Sequence, residues 1–95
     1  MGQRLIERRL RETGVRLRKL RAELAIVDEQ LVHLVDDAED KALRSLVSET
    51  SGAGADYREA QLHADAMRKH RVQVQNSITE LETKQDELLD KLSRS

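Results

Sequence analysis

Ninety-five residues leave room for one small domain at most. Charged residues make up 37% of the chain, with one Tyr and no Phe, Trp, Pro or Cys. This excludes a core built on aromatic side chains, a disulfide framework, a thiol nucleophile and a thiolate metal site. Net charge is −1 but unevenly spread. Residues 1–21 hold eight Arg or Lys against two acids, and residues 22–65 hold three basic residues against eleven acidic ones. No apolar run approaches the ~18 residues of a membrane helix. The opening MGQRLIERRL has no signal-peptide core, so a cytoplasmic protein is expected.

The first apolar series runs through Ile6 and Leu10, skips at Thr13, and resumes at Leu17, Leu20, Leu24, Val27, Leu31, Leu34 and Ala38. Its steps alternate three and four, the a/d spacing of a coiled coil. It falters at Lys41, where a shifted stripe of Ala42, Leu43, Leu46 and Val47 finishes the segment. This predicts a helix over about 3–49. The stretch SETSGAG then breaks the rhythm. Its hydroxyl side chains compete for backbone hydrogen bonds, and Gly52 and Gly54 offer the positive φ that ends helices. A turn is therefore predicted at about 50–55.

The second helix is predicted over about 56–93, with Asp56 as its N-cap and Glu59 as the capping-box partner. Its apolar steps from Tyr57 through Ala60, Ala64, Met67, Val74, Ile78, Leu81 and Leu88 to Leu92 hold the heptad without a slip, with Arg71 and Gln85 as polar seam positions. So short a connection joins antiparallel neighbours. The fold class is accordingly all-α, an antiparallel two-helix coiled-coil hairpin forming one domain over 1–95.

Folding about Ala53 makes residue 71 face residue 35. The acids Asp36, Asp37, Glu39 and Asp40 then lie opposite Arg68, Lys69, His70 and Arg71, Lys41 meets Asp65, and Glu87 and Asp90 lie beside Lys19 and Arg16. A parallel arrangement would set like charges together. The same alignment leaves residues 1–10 without a facing helix. It makes 1–14 a partly overhanging basic segment, with Gly14 as the place where it bends or frays.

Ala25, Val32, Val35 and Ala42 form a secondary stripe beside the first seam. Such a stripe suits docking on a protein partner or dimerisation into a four-helix bundle. The expected partner-binding residues are Arg4, Arg8, Arg9 and Arg11 with Val32, Val35 and Ala42. Phosphates of nucleic acid are a second candidate ligand for the arginines, although no aromatic residue accompanies them for base stacking. Arg71, at the seam, is read as a register-fixing charge, with anion or nucleotide binding as the alternative.

The turn offers a third candidate. Glu49, Asp56 and Glu59 would place carboxylates at the tip of the hairpin, a set able to help hold Mg²⁺. The segment GADYREAQLHADAMRKHRVQVQNSITELETK resembles the second coiled-coil helix of the bacterial transcript-cleavage factors, over about thirty residues. That resemblance implies an acidic D-x-x-E tip, at Asp56 and Glu59, inserted into the RNA polymerase secondary channel. The family's C-terminal globular domain has no counterpart in these residues, and the tip here is richer in Gly and Ser.

No enzyme motif, cofactor fingerprint or metal-ligand spacing appears. His33, His63 and His70 have no Cys or second His at a ligating interval. The sequence thus predicts a non-catalytic coiled-coil interaction or regulatory protein, without cofactor or metal.

Overall fold

The computed structural model describes residues 2–48 and 50–94. Two helices, α1 (Gln3–Val47) and α2 (Ser51–Arg94), form an all-α antiparallel hairpin. Gly2 caps α1, its carbonyl accepting the amides of Leu5 and Ile6, each at 3.1 Å. Arg44 in the last turn of α1, and Lys91 and Arg94 in the last turn of α2, place positive charge where the helix dipoles end negative.

The turn is shorter and earlier than the glycines suggest. The Ser48 amide closes the last bond of α1 onto the Arg44 carbonyl at 2.9 Å. The Ser48 hydroxyl accepts the Thr50 amide at 3.2 Å and shares a 2.8 Å hydrogen bond with the Thr50 hydroxyl. The Thr50 carbonyl in turn accepts the Ala53 amide at 3.3 Å. The Ser48 hydroxyl thus serves one turn amide and ties the two side chains together, so the turn closes without a left-handed residue among those described. Gly52 and Gly54 lie inside α2, and no glycine among the described residues has positive φ. Asp56 sits in the second turn of α2 and is not its N-cap, so the capping box with Glu59 does not form.

A substitution separates the two placements of the turn. A Cβ at Gly52 would meet nothing within 4 Å, and one at Gly54 would meet only the Arg58 guanidinium at 3.5 Å. Gly52→Ala and Gly54→Ala are each expected to stabilise the protein by about 0.5–1 kcal/mol. Denaturant unfolding followed by circular dichroism measures this. A loss of stability at either site would return a left-handed glycine to the turn.

The chain divides into two compact units, Met1–Leu24 with Gln73–Ser95, and Ala25–Val72. In the first, Leu17 packs with Val74 and Ile78, and Leu20, Leu24 and Leu81 close around them. Folding about Ala53 would have set residues 17–24 against 82–89; they meet 74–81 instead, about one heptad away. This correction also removes the overhang. Ile6 is 2% exposed and Thr13 is 7% exposed, so the seam continues through both positions and covers the first turns of α1. Gly14 lies in unbroken helix. Arg21 and Glu82 join the two helices of this unit at 3.2 Å.

The second unit has a seam of small residues. Ala38, Ala60 and Ala64 are 5%, 3% and 1% exposed, with Val27 also buried. Arg71 reaches Asp28, one heptad before the position that folding about Ala53 assigns to it. Several acids of the other expected cross-helix pairs take basic partners on their own helix. Asp37 binds Lys41 at 3.1 Å, Asp40 binds Arg44 at 3.0 Å, and Asp65 binds Arg68 at 2.8 Å. In the first unit Asp90 likewise takes Arg94, at 3.1 Å, in place of Arg16. Pairs one turn apart form in any helix and need no partner strand. They therefore survive the change of register that the cross-helix pairs do not.

Candidate interaction surface

Periodicity decides which side chains remain outside. In α1 the seam keeps strict step to its end, with half-buried Lys41 and Ser45 at its last positions. The Ser45 hydroxyl is satisfied by donating to the Ala42 carbonyl at 2.8 Å. The shifted stripe that was expected to finish the seam is therefore left out of it. Leu43, Leu46 and Val47 are 65%, 81% and 84% exposed, three large aliphatics within the last five residues of α1. The slip at Lys41 was the signal in the sequence. It marks a surface where a continued seam was expected.

Val32, at 58% exposed, and half-buried Val35 border an open groove of about 420 Å³ with Asp28, Leu31, Asp36 and Arg71. Val35 and half-buried Ala42 border a smaller one of about 170 Å³ beside Tyr57, Gln61 and Arg68. The stripe expected beside the seam thus exists, and it lies wholly within the second unit. Within it, Asp28 holds the Arg71 guanidinium above its ordinary pKa, through the hydrogen bond first and charge attraction second, against a small opposing effect of desolvation. A raised basic pKa stabilises the folded state at every pH below the unfolded value and loses that contribution only as pH rises through the folded one. That window lies in strong alkali, so Arg71 is no switch near neutrality. Both side chains are partly exposed, and this pair serves register more than stability.

In the first unit Arg4, Arg8, Arg9 and Arg11 are all exposed. They lie on regular helix, however, and not on a frayed overhang. Arg8 makes a long 4.0 Å contact with Glu12. Arg9 and Arg16 border a groove of about 440 Å³ with Thr13 and Lys84, and Glu12 brings an acid to the same rim. The rim therefore carries both signs of charge.

Of the tip residues, Asp56 and Glu59 are exposed on α2 one turn apart, and Glu49 lies outside the described residues. Among the described residues no three His, Asp or Glu side chains converge in a way that would hold a metal ion. Half-buried Gln85 continues the seam as expected. Among the described residues, no helix is long and apolar enough to cross a membrane. No protein-family model, curated protein or solved structure matches the chain.

Proposed function

We propose that this chain is a non-catalytic interaction or regulatory protein that binds another protein through the outer faces of its helices and its basic N-terminal segment. One observation carries the reading. The hairpin leaves Leu43, Leu46 and Val47 in solvent at the end of α1, on the helix that also exposes Val32. Clustered exposed aliphatics mark sites of protein contact more often than isolated ones do. A cytoplasmic site of action goes with this reading, on composition alone.

The test compares what the intact chain and a Leu46→Glu, Val47→Glu variant retain from an extract of the source cell. Both positions are so exposed that the variant should keep its helical circular dichroism. A partner held by the parent chain and lost by the variant is the expected result. Identical retained proteins, or none, would refute the reading.

A further inference from the structure

The side of α1 turned away from the seam carries a heptad pattern of its own. Two rows, one starting at Arg4 and one at Arg8, recur every seven residues on that side. Every position on these rows from Arg4 to Leu43 is exposed. In the first unit the rows are basic, with Arg8, Arg11 and Arg18 around Val15. In the second they are acidic, with Glu29, Asp36 and Glu39 around Val32. Among the described residues, Arg11, Arg18, Glu29, Asp36 and Glu39 form no ion pair. The hairpin therefore leaves uncompensated the same charges that give the chain its uneven charge distribution.

We propose that these rows are the interface of a homodimer, with the α1 helices of two copies antiparallel about a two-fold axis between Ala22 and Ala25. This register sets Arg8, Arg11 and Arg18 of one copy against Glu39, Asp36 and Glu29 of the other. It also sets Val15 against Val32 and Ala22 against Ala25. The axis repeats each match, as an isologous contact requires. A parallel pairing would set arginine against arginine. Sliding the antiparallel pair by one heptad sets Val15 against Glu39 in one direction and Val32 against Arg8 in the other. Complementarity thus selects a single register.

The size is adequate. Residues 4–43 of a helix span about 60 Å with a width of about 10–12 Å. The interface is then roughly 600–700 Å² per partner, close to the ~800 Å² of a stable interface. Valines and alanines supply its buried centre, and the exposed charge pairs supply register and rate of encounter. The dimer is accordingly sensitive to salt. This inference names one partner for the outer face of α1 and rests on the proposed function only in treating that face as a binding surface.

Sedimentation equilibrium of the intact chain at low ionic strength tests it. The mass should approach twice 10.9 kDa as concentration rises, and fall toward the monomer as salt is added. The Arg11→Glu, Arg18→Glu variant and the Glu29→Arg, Asp36→Arg variant should each remain monomeric, because each opposes like charges to itself. Mixed in equal amounts, they should recover the dimer mass, since both contacts then match. A nitroxide on Ala25→Cys in the otherwise unaltered chain gives a second measurement, independent of whether the charge variants fold. It should show short-range coupling between copies. A parent chain that stays monomeric at low salt, a mixture that does not recover the dimer, or a dimer without that coupling would overturn the proposal. A monomeric parent chain would leave the Leu46→Glu, Val47→Glu comparison to decide the proposed function separately.

Discussion

Leu17→Ala is expected to lower stability by about 2–5 kcal/mol. Leu17 is 1% exposed and packs with Val74 and Ile78, with Leu20, Leu24 and Leu81 around them. Removing its isobutyl group forfeits burial and leaves a cavity, and a seam made of side chains from only two helices has no third element to collapse into it. Domains of this kind are stable by about 5–15 kcal/mol in all, so the loss is a large fraction of the total. In a chain this short, each kcal/mol moves the melting temperature by about 4–8 °C. Urea unfolding with Leu43→Ala as the control provides the measurement. Leu43 is 65% exposed, and its truncation should stay within about 0.5 kcal/mol of the parent. Equal effects at the two positions would place the core elsewhere.

Ala64→Leu is expected to destabilise by about 1–3 kcal/mol, although it adds apolar volume at a seam position. Two effects compete there. A leucine that found room would gain about 1.5–3 kcal/mol from burial. A leucine that did not would force rotamers and backbone apart. Ala38, Ala60 and Ala64 are nearly solvent-free although each offers only a methyl group. A methyl is covered so completely only where the helices approach at the close end of the ~8–10 Å range. Strain therefore wins, and the same denaturant series decides the sign. A stabilised Ala64→Leu protein would mean that the seam of the second unit is wider than the burial of its alanines indicates.

The candidate surface was partly legible in the chain. Arg4, Arg8 and Arg11 as exposed cations, and Val32 as an exposed aliphatic, follow from helical periodicity alone, and all are exposed. Gly52 and Gly54 point to a later turn, and with it to Asp56 and Glu59 as a cap, whereas α2 already begins at Ser51. The Ser48 and Thr50 hydroxyls close the turn earlier. The aliphatics at 43, 46 and 47 were visible too, as a slip in period, but whether the seam would follow the slip or ignore it depends on the facing helix. With the partly buried Lys41 and Ser45 carrying the seam onward, the slip is left in solvent.

By itself, the order of residues determined that two helices form, which stripe is buried along α2 and along α1 as far as Ala38, and that the helices run in opposite directions. Alternation of three and four along an unbroken run depends only on local spacing, and a short connection leaves no other orientation. Register was decided only in the tertiary structure. A seven-residue repeat looks the same after a shift of seven, so the apolar pattern is nearly degenerate between alignments one heptad apart. The length of the turn, the close packing of Ala38, Ala60 and Ala64, and the Asp28–Arg71 pair break that degeneracy. With register go the covering of Ile6, the partner of every cross-helix charge and the set of charges left over on the outside of α1.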